Sequence, residues 1–319
     1  MIASEHTEDK KLAAIADHFG LGEILDQQRV LHSTNQNYLV TTTKGEYLFK
    51  IIVNTTLEDV LSGLPFLQRL KEQRFSATAY YLPAPGGEVA YHSADCDAVV
   101  LPKLPGAIPE LSPAVSREIG IHLAKLHLVP CDDLPEKRHW LDARYLPEAM
   151  QKAVEMYGSE PLRETLQVFH SLSAFQPAQL PQSITHGDLC AVNCLFEGER
   201  LVAFVDWQEI GVGAALVDFV STVLGFCFVD QDEGTDFWAI FDPVLYRALF
   251  EGYTSIRPFS PEELAQLDAA MKYVGLTQPV WSMLNWQQYH SGQKMIETNT
   301  MYWKYGLDTL TLPPVLGSS

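Results

Sequence analysis

Positive charge is scarce in this sequence: 22 lysines and arginines stand against 40 aspartates and glutamates, a net charge of −18 over 319 residues. A field of that sign repels phosphate, which argues against a non-specific nucleic-acid or acidic-membrane binder and favours a cationic or zwitterionic ligand. Cysteine is sparse as well. The five present (Cys96, Cys131, Cys190, Cys194 and Cys227) are odd in number and lack the spacing of a disulfide framework. No apolar run is long enough to span a bilayer: the longest, Phe219 to Val229, has eleven residues, and a helical span needs about 20. The first residues, MIASEHTEDKK, are too polar for a signal peptide, so a reduced, cytoplasmic setting is expected. Internal repeats and low-complexity tracts are missing too. With 47% hydrophobic and 19% charged residues, the composition is that of a folded globular protein and excludes a disordered chain, a coiled coil or a collagen-like fibre.

A chain of this length is about twice the common domain size, so two units are expected. After an opening helix over Lys10 to Phe19, the run QNYLVTTTKGEYLFKIIV places two apolar, β-branched and aromatic stretches around Thr43-Lys44-Gly45, a hairpin signal in which glycine supplies the positive φ of a tight turn. LEDVLSGLPFLQRLKEQ follows with leucines at helical spacing, weakened in its first half by Gly63 and Pro65. Strands near Gly87 to Tyr91 and Asp97 to Leu101 complete an antiparallel sheet with one helix. The segment LPKLPGAIPELSP, with four prolines and one glycine in thirteen residues, reads as a linker. The boundary is placed there, giving lobes 1–104 and 105–319. The second is mainly helical, with helices expected over Pro113 to Leu128, Pro147 to Ser171, Ala214 to Phe226, Phe237 to Tyr253, Pro261 to Tyr273 and Pro279 to His290. One hairpin, NCLFEGERLVAFVDW, interrupts them.

That hairpin carries the chemistry. Asp188 and Asn193 lie on a loop entering its first strand and Asp206 follows its second, so pairing the strands brings the three together. Oxygen donors of this kind suit Mg2+, which takes one or two carboxylates and completes its shell with substrate phosphates. His186, Asp188, Asn193 and Asp206 fall on the H-x-D-x-x-x-x-N plus strand-end Asp pattern of kinase catalytic loops. Any one of them taken alone is explained by turn capping; four in register are not.

The sequence resembles the aminoglycoside phosphotransferase and choline kinase-like superfamily of small-molecule kinases, and within it the homoserine kinase-like branch. The resemblance runs through STNQNYLVTTTKGEYLF, VVLPKLPG, IGIHLAKLH, THGDLCAVNCLF, AFVDWQEIGVGAALVDFVSTVLGFCF and GYTSIRPFSPEEL. It implies an α+β, bilobal, protein kinase-like fold, with a small antiparallel-sheet lobe above a larger helical one and ATP between them. It further implies Asp188 as catalytic base, Asn193 and Asp206 as magnesium ligands, and His186 and Asp218 as structural support for the loop. Lys50 becomes the strand lysine that holds the α- and β-phosphates. Ser33 and Asn35 fall in the phosphate-covering loop, and Lys103 and Leu104 in the hinge beside the nucleotide. Glu58 is open between an ion-pair partner for Lys50 and an ordinary carboxylate at a helix start.

The other features have plainer readings. Cys190 and Cys194 make a poor zinc site without a matching pair and read as packing residues. Trp281, Trp286 and Tyr289 line a pocket or, as aromatic helix faces usually do, a core. Asp230, Asp232, Glu233 and Asp236 attract a cation or form a solvated surface. The expected activity is ATP- and Mg2+-dependent phosphorylation of a hydroxyl on a small amine or amino alcohol, homoserine-like first. Aminoglycosides or choline are the rival substrates, and a catalytically silent nucleotide-binding protein is the rival of another class. No nucleic-acid or membrane partner is expected.

Overall fold

The computed structural model of the protein describes residues 2–30, 35–53, 55–137, 175–230 and 239–275, with isolated positions between 148 and 172. Helix α1 (Ile2–His18) is followed by strands β1 (Ile24–Val30), β2 (Gln36–Thr42) and β3 (Gly45–Ile52). The short helices α2 (Leu57–Ser62) and α3 (Leu64–Glu72) precede β4 (Tyr91–His92) and β5 (Asp97–Pro102). The strands form one antiparallel sheet in the order β1-β2-β3-β5-β4. Alternation along β3 sends Phe49 and Ile51 into a core with Leu12, Ile15 and Phe19 at α1, while Ile52 packs with Val60 and Val99 on the opposite face. Lys50 shares that opposite face with Ile52.

Several elements depart from expectation. β1 is a fifth strand where none is expected, and one helix over 57–73 becomes two, divided at Gly63. Thr56 and Asp59 form a capping box at the start of α2, and Pro65 sits in the first turn of α3, where proline is tolerated. The strand expected from Gly87 begins only at Tyr91, because Gly87 lies in a turn with φ +98°.

The remainder is mostly helical. α4 (Pro113–His127) starts at the Ser112 cap, and β6 (Gln182–Thr185) precedes the hairpin β7 (Cys194–Glu197) and β8 (Arg200–Phe204). β9 (Gly211–Ala214) returns to pair with β6 and leads into α5 (Ala215–Phe226). β10 (Phe228–Asp230) pairs with β11 (Ala239–Phe241), so the helix expected from Phe237 begins instead at Pro243 as α6 (Pro243–Thr254), capped by Asp242. α7 (Pro261–Ala265) is followed by a break at Gln266 and further helix over 267–275. The helix expected over Pro279 to His290, with its aromatic residues Trp281, Trp286 and Tyr289, lies outside the described residues, as does most of that over Pro147 to Ser171.

α4 and α6 pack with their backbones nearly touching. A Cβ on Gly120 would stand 2.2 Å from the Leu249 carbonyl, and one on Gly252 would stand 2.1 Å from that of Arg117, so only glycine permits this approach. Ile119, Leu123, Leu126, Phe219, Val220, Leu249 and Tyr253 fill the core beneath, joined by Phe66, Leu67 and Leu70 of α3. No described helix is long and apolar enough to cross a membrane.

Candidate active site

The β7–β8 hairpin sets the geometry. Cys194 pairs with Phe204, so Asn193 just before β7 and Asp206 just after β8 emerge at the same end, and the Val205 amide donates to the Asn193 carbonyl at 2.9 Å. The loop before β7 folds onto this end. The Asn193 amide donates from Nδ2 to the Asp188 carbonyl at 2.7 Å and to its carboxylate at 3.2 Å. Gly187 has φ +81°, and a Cβ there would come within 2.8 Å of the Glu209 carbonyl, so glycine alone fits between the two loops.

Asp218, fully buried in the first turn of α5, holds this loop from below. It accepts the backbone amides of His186 at 2.9 Å and Gly187 at 2.8 Å. His127 adds a third contact, donating from Nε2 to Asp218 at 3.0 Å while its Nδ1 accepts the Tyr253 hydroxyl at 2.7 Å. Burial alone would raise the Asp218 pKa, but the His127 contact and the two amides outweigh it and hold the carboxyl below its usual range. His186 donates from Nε2 to the Val205 carbonyl at 3.0 Å, tying the loop to the hairpin.

On the other wall, Lys50 reaches Asp206 at 2.6 Å and the Gln208 side chain at 3.1 Å. Asn35, almost completely buried, donates to the same Gln208 oxygen at 3.1 Å and accepts the Val53 amide at 3.1 Å. Asp206 stands in the left-handed region, φ 63° and ψ 63°, which non-glycine residues other than Asn and Asp seldom visit and which recurs at functional sites. Lys50, Asp188, Asn193 and Asp206 are thus brought together. Glu58 is not: it is exposed in the first turn of α2, and the acid that Lys50 finds is Asp206. The side chain of Lys103 is exposed and paired with Glu46 at 2.7 Å, at the far end of β3 from Lys50. Leu104 follows it, half-buried. Ser33 lies outside the described residues, as do Asp232, Glu233 and Asp236.

Asp188 is exposed at its outer side, yet protein packs densely around its carboxyl group. That enclosure, followed by the charges of Asp206 and Glu209, pushes its pKa up to about 7, against the lowering effect of the Asn193 amide. Cys190 beside it is pushed up to about 12 by burial and then by Asp188, which keeps the thiol protonated. Among the described residues no group of three or more His, Cys, Asp or Glu side chains could hold a metal ion.

The buried histidines give stability a pH dependence. Burial lowers the pKa of both His127 and His186, so the folded chain holds them neutral while the unfolded chain protonates them below about pH 6.5. Stability therefore falls as pH drops below that value, until the lowered folded pKa is passed. The depressed Asp218 carboxyl adds a second loss as pH falls below its unfolded value near 4. Melting temperatures at pH 7.5 and 5.5 check this: the drop in wild type should exceed that in His127→Gln, and equal drops would remove His127 from the account.

Three further residues join the site. Gln208 joins Lys50 to Asn35, and Lys137 donates to the Gln208 carbonyl at 2.6 Å. His127 ends the IGIHLAKLH stretch, where its place one helical turn past Leu123 was a usable signal. A loop lysine such as Lys137 offers none.

Comparison with known proteins places this geometry among phosphotransferases. A model of the phosphotransferase enzyme family matches residues 27–265. A homoserine kinase of Burkholderia vietnamiensis is 30% identical over 275 residues, 80% of this chain and 79% of its own. Two solved structures share the fold: an amicoumacin kinase in complex with AMP-PNP, Ca2+ and Ami (TM-score 0.68, 14% identity, 94% of this chain and 96% of the other), and a choline kinase from Streptococcus pneumoniae (TM-score 0.62, 16% identity, 94% and 99%). The expected α+β, kinase-like architecture is borne out.

Proposed function

Because this chain belongs to the phosphotransferase enzyme family, as a small-molecule phosphotransferase acting on hydroxyl groups, we propose that it moves the γ-phosphoryl group of ATP, with Mg2+, onto homoserine or a closely related amino alcohol. The observation that carries the reading is the convergence of Lys50, Asp188, Asn193 and Asp206 at one end of the β7–β8 hairpin. We divide the chain into a nucleotide lobe, 1–104, and a catalytic and acceptor lobe, 105–319.

The donor set fits Mg2+. Asn193 spends its amide nitrogen on Asp188, which leaves its side-chain oxygen, and Asp206 meets Lys50 through Oδ1, which leaves Oδ2. One amide oxygen and one carboxylate make an incomplete shell that phosphate oxygens would fill, as Mg2+ prefers. When bound, the ion supplies positive charge to the phosphate oxygens. The other steps belong to the chain. Lys50 gives its ammonium to the α- and β-phosphates, steadied by Asp206 and Gln208, and Asn35 braces Gln208. Asp188 accepts the acceptor hydroxyl's proton, and a base with a pKa near neutrality is suited to that transfer. Asp218 fixes the loop backbone so that Asp188 keeps its aim.

The acceptor is the finer part of the reading. The homoserine kinase likeness supports homoserine, and the negative field of Asp188, Asp206 and Glu209 supports an ammonium group near the reacting hydroxyl. The −18 charge also suits polycationic aminoglycosides. ADP release measured across homoserine, choline, hydroxylated amino acids, aminoglycosides and neutral sugars tests the choice. Homoserine should have the highest kcat/KM; a neutral sugar in that place would overturn the amine, and ATP binding without turnover of any acceptor would make the protein a silent nucleotide binder.

A further inference from the structure

Lys137 lies beyond the end of α4, half-buried, with its ammonium 2.6 Å from the Gln208 carbonyl. An ammonium carries three donors, and that carbonyl is its one hydrogen-bond acceptor among the described residues; no described carboxylate stands within ion-pairing distance. Burial lowers its pKa, opposed by the more distant charges of Glu209 and Asp59. Glu209 also acts on Asp188, and Gly187 of the Asp188 loop packs directly against it. Lys137 thus hydrogen-bonds the backbone one residue before Glu209, the residue against which the Asp188 loop packs. Lys50, assigned above to the phosphates, pairs with Asp206.

A half-buried cation lacking a full partner is unfavourable unless an anion arrives to complete it. Phosphate is accounted for on the Lys50 side. The side of Asp188 and Glu209 calls for an acceptor with an ammonium near the carboxylates and an anion within reach of Lys137.

We infer that Lys137 is the carboxylate-binding residue of the acceptor pocket, which makes the preferred substrate a zwitterionic hydroxy amino acid over a simple amino alcohol. This rests on the reading of the protein as a kinase of amino-bearing alcohols, and it names what within that class is selected. Lys137 touches no reacting atom; it is a specificity residue.

The test compares homoserine with 3-amino-1-propanol, the same molecule without its carboxylate, in wild type, Lys137→Met and Lys137→Arg, with ATP saturating. Wild type should prefer homoserine. Lys137→Met should raise the KM for homoserine roughly ten- to hundredfold, the range of a charge-assisted hydrogen bond. Its kcat/KM for 3-amino-1-propanol should fall at least about fivefold less than that for homoserine, and Lys137→Arg should recover part of the homoserine preference. A merely structural lysine would lower both substrates by the same factor, which overturns the inference, as does a KM change confined to ATP. Wild type that turns over homoserine with its preference unaltered in Lys137→Met overturns the inference alone. Wild type that phosphorylates no amino-bearing alcohol, only acceptors of another class, overturns the functional reading and the inference together.

Discussion

Asp188→Asn should lower kcat by about 10²- to 10⁴-fold, the usual contribution of a general base, with little change in ATP affinity. The substitution keeps the shape of the side chain, and an Asn at this position can turn its oxygen to accept from Asn193 as the carboxylate does at 3.2 Å. The loop itself hangs on Asp218 through the His186 and Gly187 amides, none of which is touched. Removing a charge that Asp206 and Glu209 repel should leave the melting temperature equal or higher. Single-turnover measurement with pre-bound ATP isolates the chemical step. A variant within twofold of wild type in that step would remove Asp188 from the role of base.

That prediction was within reach of the sequence because the elements around Asp188 are local. The β2–β3 hairpin, with its two-residue turn at Thr43 and Lys44, and the β7–β8 hairpin, with its turn at Gly198 and Glu199, each carry their pairing signal in a single stretch. Those two hairpins fix Lys50 on β3 and bring Asn193 and Asp206 to one end of the β7–β8 pair. What escaped is what depends on distant partners. β6 and β9 are four residues each, and Gly211-Val212-Gly213-Ala214 has little intrinsic strand preference; it is held in place by pairing with Gln182–Thr185. β1, ILDQQRV, is an edge strand whose mostly polar side chains show no two-residue alternation of burial. The start of α6 was legible, since Asp242 before Pro243 is a cap followed by the proline favoured at a first helical position, yet the apolar run upstream of it masked the strand β11. The nearest following helix, α2, offers Glu58 to Lys50, whereas the pair closes with Asp206 across 156 residues. No local pattern encodes a contact of that kind.

Asp206→Asn should lower turnover by two orders of magnitude or more, on the scale found when a preorganised electrostatic contact to the transition state is lost, and should shift the Mg2+ titration to higher concentration. Asparagine is a better probe than alanine here. Asp206 has φ 63° and ψ 63°, a conformation that Asn adopts readily and Ala does not, so alanine would mix backbone strain with the loss of the ligand. Asn also keeps an oxygen where Lys50 now meets Oδ1 at 2.6 Å, while removing the negative charge that the metal and the lysine share. Two effects follow from that one charge. The metal loses its only carboxylate in the proposed pair, and Lys50, whose side chain is 8% exposed, keeps its charge without a full counter-ion, which should also lower the melting temperature. Added ATP and Mg2+ should restore the second more than the first, since phosphate can neutralise Lys50 but cannot replace the missing ligand. Superimposable Mg2+ titrations for Asp206→Asn and wild type would show that Asp206 is not a ligand, and its pairing with Lys50 would then be structural.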